Sequence, residues 1–304
     1  MTRLTERRVE NIEANLAEAR HDLQLVGIDE ADGRSVFARQ LVDSERFMRR
    51  LRLYGRQSVC EANADPFGPY FHPLKAAAHF RNAGNIEEAI WITFLAVHFG
   101  QHHEDGWHAV SRVYGRIGDE GTWDWHSTSG SIPEFRHWLA SQGNAITVRF
   151  GNHRKYQSTD LSHPNGTGRV VESYVRWVGS GHSQEERYST LVPSSYDRFA
   201  AIYRSLTAVY GFGRLAKFDL LTRLRYLNLI KINAPRSAYL SASTGPIAGA
   251  RLLCTNDHEG EIRTTLLDER IAELGNRLNL GMDVLEDALC NWQKSPHTYE
   301  PFIG

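Results

Sequence analysis

Apolar residues recur along this chain at helical spacing, and nowhere does the two-residue alternation of a half-buried strand persist. Ile12, Leu16, Ala19 and Leu23 fall on one face of a helix predicted over 4–25, which Gly27 and the polar run 29–33 bring to an end. A second helix is predicted over 36–53. The stretch 62–72, with Pro66, Gly68 and Pro69, reads as a loop. Asn85-Ile86-Glu87-Glu88 has the form of a capping box, in which Asn85 caps and Glu88 reaches back. The helix it opens is apolar on nearly all sides (Ile90, Trp91, Ile92, Phe94, Leu95, Val97, Phe99), which predicts a helix at the centre of the fold, ended by Gly100. A short helix over 107–117 is closed by Gly118, and another opens at Ser131, carries Phe135, Trp138 and Leu139, and stops at Gly143. Residues 151–168 read as a loop. A helix over 168–178 follows, then a polar linker over 179–187. Phe199, Ile202, Leu206 and Val209 share a face before Gly211-Phe212-Gly213, and Leu215, Phe218 and Leu221 share one after it. Pro235 and Gly245-Pro246 punctuate the next stretch, and helices are predicted over 262–279 and 283–293. The pattern implies an all-α, mainly helical chain.

Composition narrows this. With 304 residues, 41% of them apolar, and seven tryptophans, the chain can fill one large core or two lobes sharing a core. The longest apolar run, 89–99, is too short to span a bilayer, and the first eight residues lack the apolar core of a signal peptide. Cys60, Cys254 and Cys290 form no CxxC, which fits a reducing compartment and excludes a four-cysteine cluster from this chain alone. The expectation is a cytoplasmic monomer without membrane attachment or cofactor. Thirty-five Lys and Arg against 36 Asp and Glu leave no global basic character, so nucleic acid would be gripped locally.

The sharpest local signal is 210–219, Tyr-Gly-Phe-Gly-Arg-Leu-Ala-Lys-Phe-Asp. Gly211 and Gly213 permit a tight reversal. The second helix then starts with free N–H groups suited to a phosphate, flanked by Arg214 and Lys217. An ordinary αα-hairpin with a glycine turn is the plainer alternative. In 150–156, His153, Arg154 and Lys155 offer positive charge to a phosphate while Tyr156 stacks on a base; a solvated turn is the alternative. His98, His102, His103 and His108 gather with Glu104 and Asp105, but Gly100 interrupts the helix and no zinc motif is present, so no metal is expected. Glu286 and Asp287 have the position of simple helix N-terminal carboxylates.

The hairpin resembles the helix-hairpin-helix of DNA glycosylases, an apolar-Gly-apolar-Gly turn followed by basic residues. Taken in order, Gly84–Trp91 with Phe94–Gly100, Gly106-Trp107 with Val113–Arg116, Phe150–Tyr156, Val171–Trp177, Gly211–Asp219 and Leu285–Lys294 resemble clade 3 of the α-glutamyl/putrescinyl thymine pyrophosphorylases. The resemblance implies a branch of the helix-hairpin-helix glycosylase fold acting on hypermodified pyrimidines of phage DNA. Some members are inferred to let an amine displace pyrophosphate from an activated 5-hydroxymethyl pyrimidine. The base must be flipped out for either displacement or excision. Such glycosylases carry a catalytic Asp roughly twenty residues beyond the hairpin, where this chain has Asn233 without a nearby carboxylate. Asp219 becomes the first candidate to supply the negative charge, with Glu286 and Asp287 behind it.

The expectation is therefore an all-α, glycosylase-like fold of two lobes, 1–195 and 196–304, with a cleft between them and the hairpin at 199–221. Its partner is double-stranded DNA with modified bases. Excision of the base, serving antiviral defence in a cellular genome, is favoured over pyrophosphate displacement, and a non-catalytic reader of modified DNA is the third possibility.

Overall fold

The computed structural model describes residues 3–142, 148–151, 154, 157–160, 163, 166–191 and 197–301. Among them are fourteen α-helices and no strand, so the chain is all-α as its periodicity predicts. It divides into two compact units, residues 1–50 with 234–304, and residues 51–233. No described helix is long and apolar enough to cross a membrane.

The first unit holds α1 (Arg3–Asp22), most of α2 (Ala31–Tyr54), α12 (Gly245–Thr255), α13 (Thr264–Leu278) and α14 (Met282–Trp292). α1 buries the predicted stripe Val9, Ile12, Leu16 and Ala19, and packs on α13. α2 starts five residues before the predicted 36. Arg34 makes this possible, since its guanidinium donates to the carbonyls of Ile28 (2.9 Å) and Asp29 (3.1 Å) in the preceding turn. α12 is absent from the pattern-based expectation, which reads Gly245-Pro246 as punctuation. The proline stands instead in the first turn of a helix, where its missing N–H costs nothing. α12 then packs on α14, whose Trp292 is fully buried.

The second unit holds α3 (Pro73–Asn82), α4 (Ile86–Phe99), α5 (His108–Tyr114), α6 (Trp125–Gly130), α7 (Ile132–Gln142), α8 (Thr167–Val178), α9 (Gln184–Thr190), α10 (Arg198–Ser205) and α11 (Arg214–Tyr226). α4 is its centre. Every residue from Glu88 to Phe99 is buried, and α3, α5, α6, α9 and α11 all pack against it. A column of rings crosses this core: Phe94 stacks on Tyr174 (centroids 3.9 Å apart), Phe212 (5.0 Å) and Trp91 (5.6 Å).

Two local expectations need correction here. The capping box is half formed: Asn85 Oδ1 accepts from Glu88 N (3.2 Å), but the Glu88 carboxylate turns inward and accepts from Trp125 N (2.8 Å). Deep burial raises its pKa from 4.5 to about 7, against the hydrogen bonds from Trp125 and Tyr114. The polar linker over 179–187 is partly α9. Glu87 caps that helix from across the unit, accepting from Gln184 N (2.8 Å), Glu185 N (3.2 Å) and Ser183 Oγ (2.8 Å). A carboxylate at a helix N-terminus satisfies the orphan donors and the dipole together.

Candidate nucleic-acid interface

α10 and α11 form a helix–turn–helix pair. Asp197 caps α10 by accepting from Ala200 N (3.1 Å), and Phe199 meets Phe218 edge-on with centroids 5.7 Å apart. A 3₁₀ turn over Leu206–Ala208 leads into 209–213. Phe212, 4% exposed, points into the ring column and anchors the turn from inside. Its two neighbours face out.

The two glycines differ in kind. Gly211 has φ +67°, and a Cβ there would lie 3.3 Å from Val170 Cγ2, so both conformation and space call for glycine. Gly213 has φ −68° and ψ −175°, an extended conformation open to any residue, and a Cβ there would meet nothing within 4 Å. Gly213 is the N-cap of α11 and, lacking a side chain, makes no side-chain cap bond of its own. Its first-turn N–H groups and the positive end of its dipole thus face an open surface at a residue without a side chain, the requirement for close approach of an anion.

The predicted cations flank this end. The Arg214 guanidinium lies 5.1 Å from the Phe218 ring centroid. Lys217 Nζ is 4.5 Å from the Tyr203 ring centroid and donates to Thr207 Oγ1 (3.0 Å), and partial burial lowers its pKa. Both are half-buried and held by the hairpin itself. A third cation escaped the sequence reading. Exposed Arg169, in the first turn of α8, lies 3.6 Å from the Tyr210 ring centroid, and Tyr210 N donates to Ser173 Oγ of the same helix (2.8 Å). An exposed arginine on an amphipathic helix carries no sequence signal of a partner in the hairpin.

Of the loop singled out at 150–156, residues 150, 151 and 154 are described, and Gln157 just beyond it reaches the hairpin. Gln157 Nε2 donates to Gly211 O (3.3 Å), and Gly151 N donates to Phe99 O (2.8 Å). His153, Lys155 and Tyr156 lie outside the described residues. Arg154 is 7% exposed and runs inward, donating through Nε to Val97 O (2.8 Å) and through a terminal nitrogen to Asp219 Oδ2 (3.0 Å). Its guanidinium ties the end of α4 to α11, so it is engaged inside the protein where an open clamp for phosphate was expected. Burial lowers its pKa and Asp219 opposes that shift. Asp219 also pairs with Arg223 (3.0 Å), so each of its oxygens faces a guanidinium.

Of the other carboxylates, Asp287 accepts from Ser44 Oγ (2.6 Å) and Glu286 is 5% exposed; both stand on α14, in the first unit. The histidines do not form one cluster. His98 is buried in α4, and the Thr167 hydroxyl donates to Ser158 O (3.0 Å), so His98 Nε2–H donates to Thr167 Oγ1 (3.0 Å). Burial, and then Arg154, push its pKa down to about 3. His102 lies in the next turn, where Glu104 N (3.3 Å) and Asp105 N (3.2 Å) donate to its Nδ1. Ligand atoms of His102, Glu104 and Asp105 lie within 4.8 Å of one another, close enough to share a cation. Arg149 pairs with both carboxylates and lowers the Asp105 pKa. His102 and Arg149 edge an open cavity of about 390 Å³ that reaches Gln157, the residue bonded to the hairpin turn.

Neither the curated proteins nor the solved structures searched give a match to this chain. Residues 32–304 match the family described as alpha-glutamyl/putrescinyl thymine pyrophosphorylase clade 3, a span that includes the hairpin, the ring column and α14. The chain is therefore a member of the alpha-glutamyl/putrescinyl thymine pyrophosphorylase family, clade 3.

Proposed function

We propose that this chain is an enzyme that acts on a modified thymine base in double-stranded DNA, holding the DNA backbone at the hairpin of α10 and α11 in the manner of the helix-hairpin-helix glycosylases. The observation that carries this is the N-terminus of α11 at exposed Gly213, with Arg214 and Lys217 in its first turn and Arg169 over Tyr210 of the hairpin. Backbone N–H groups at a helix start bind a phosphate without reading sequence, and the arginines and lysine strengthen that grip. The base itself must leave the stack to be reached.

Between excision and displacement, the surroundings of Asp219 favour displacement. Excision builds positive charge on the sugar and needs a carboxylate to stabilise it. Asp219 stands between Arg154 and Arg223, so these three groups carry a net positive charge that repels an oxocarbenium ion. The same charge suits an anionic leaving group. In displacement, an amine nitrogen attacks the methylene on C5 of the pyrimidine. The C–O bond breaks, pyrophosphate departs with the electron pair, and the new C–N bond forms as the amine loses a proton. The family's name, with its glutamyl and putrescinyl thymines and its pyrophosphorylase activity, supports this reading.

The test uses duplex DNA carrying a pyrophosphorylated 5-hydroxymethyluracil, with glutamate or putrescine added. The expected result is pyrophosphate released in step with amine incorporated. Free base and abasic sites without pyrophosphate would establish excision instead. Tight binding with neither product would make the chain a reader of modified DNA.

A further inference from the structure

The chain is neutral as a whole, with 35 Lys and Arg against 36 Asp and Glu, yet between Glu45 and Glu61 it carries five arginines and no acid. Arg46, Arg49, Arg50 and Arg52 stand on the last turns of α2, and Arg56 follows its end. All five are exposed. At 3.6 residues per turn the four on the helix share one side of α2, and the buried Ser44, Met48 and Leu51 take the other. Arg46 pairs with Asp43 (3.8 Å), and Arg50 lies 5.8 Å from the Phe47 ring centroid. The side chains of Arg49 and Arg56 have no partner among the described residues.

Two observations separate this face from ordinary surface charge. The first is that the fold does not need it. Cations gather at a helix C-terminus to answer its dipole and its free carbonyls, and here that role is filled from inside. Arg81 donates to Gly55 O (2.6 Å) and Leu227 O (2.6 Å), the carbonyls just past α2 and α11, and Asn228 Nδ2 donates to Gly55 O (2.8 Å). Arg49 meanwhile has Arg46 and Arg52 three residues to either side, a like-charge spacing that destabilises a helix. The second observation ties the face to the hairpin. A Cβ on Gly55 would lie 2.1 Å from Tyr226 O, so the end of α2 packs directly on the end of α11. The guanidiniums of Arg52 and Arg225 lie 5.3 Å and 4.9 Å from the Tyr226 ring centroid. Arg225 comes three full turns after Arg214, so the two leave α11 on the same side, about 17 Å apart along its axis. Arg52, Arg56, Arg225 and the hairpin all belong to the second unit, and Arg49 is one turn back on the same unbroken helix.

We infer that the arginine face at the end of α2 is a second contact for the phosphate backbone, and that one duplex bridges it and the hairpin. The choice of ligand rests on the duplex-DNA reading above. A separation of about 17 Å corresponds to about five base pairs at 3.4 Å each, so both contacts fall within one turn of a duplex. The planar guanidinium fork matches phosphate oxygens two at a time, and all five cations of this face are arginines. A lipid surface is a poorer fit: Leu53, 39% exposed, is the one exposed large apolar residue of this face among the described residues, and an interfacial helix needs an apolar stripe. A grip at two points fixes the direction of the duplex on the protein, which one phosphate site leaves free.

The test measures binding of the full chain to an unmodified duplex as a function of salt concentration, with polyglutamate as a second polyanion. The double variant Arg49→Ala/Arg56→Ala should lower the salt slope by about two units and weaken duplex binding at least about tenfold at low salt. Both side chains are exposed and make no internal bond, so the unfolding midpoint should not move. Arg49→Lys/Arg56→Lys keeps the charge and should keep the slope. Wild-type slope and affinity in the alanine variant overturn the inference. So does an alanine variant that loses polyglutamate and holds duplex as before, which would make the face a site for an acidic protein. If Arg214→Ala and Lys217→Ala flatten the slope and the α2 variant does not, this inference fails and the hairpin grip stands. The reverse result keeps this face and takes the hairpin out of the interface.

Discussion

The first and second turns of α11 carry similar residues into different surroundings. In the first, Arg214 and Lys217 are half-buried against the hairpin's own rings at a helix end whose N-cap is a glycine. In the second, Asp219 is gripped by Arg154 and Arg223, and Arg154 is buried nearly completely. Charge in the first turn can still meet a ligand. Charge in the second lets Arg154 tie the end of α4 to α11. A charged side chain thus takes its role from burial and from the number of its partners, and a few residues along one helix are enough to change it.

The comparison is most open to attack at Asp219. Asp219→Asn leaves Arg154 buried without its carboxylate, and we expect a loss of about 3–5 kcal/mol in urea unfolding, the scale for breaking a buried pair. Wild-type stability together with a roughly hundredfold loss of turnover would make Asp219 a catalytic group, and the second turn part of the reacting site.

Glu88 sharpens the same contrast, as a buried carboxylate without a cationic partner in the bonds described. Its folded pKa of about 7 exceeds the 4.5 of the free group, so between those values the folded chain holds a proton that the unfolded chain has released. Its contribution is fully present below about pH 4.5 and is lost as pH rises through 7. His98 acts in the opposite sense: with its pKa lowered to about 3, stability is present above 6.5 and lost as pH falls toward 3. Comparing wild type with Glu88→Gln cancels the histidine. The variant should gain about 3 kcal/mol relative to wild type between pH 4.5 and pH 8, read from unfolding curves. A constant difference across that range would mean that Glu88 stays ionised.

The two glycines test the first turn without touching charge. Gly211→Ala forces a side chain into φ +67° and against Val170, and should cost about 1–2 kcal/mol. Gly213→Ala meets open space at an ordinary φ and should cost under about 1 kcal/mol. Equal costs would show that the turn is not held as described. Gly213→Val should then weaken duplex binding in a folded protein.

The smallest effects belong to the half-buried charges of the first turn. Arg214→Ala and Lys217→Ala should each reduce the salt dependence of duplex binding by about one unit of slope, with unfolding midpoints nearly unchanged. An unaltered slope in both would remove the first turn from the DNA interface and with it the contrast.

Periodicity alone determined much of this protein. The all-α class, the fully buried α4, the stripe of α1 and the helix–turn–helix around Gly211–Gly213 are legible because each rests on residues within a few turns of one another. The tertiary structure decided what local spacing cannot hold. α9 exists where a polar linker was expected because Glu87, 97 residues before Gln184, caps it. Arg154 turns inward because Asp219, 65 residues away, waits there. Glu88 abandons its capping box for the backbone of Trp125. In each case a charged group finds a partner distant in sequence, and desolvation makes that partner decisive: a buried charge must be paired or neutralised, and only the folded chain settles with what.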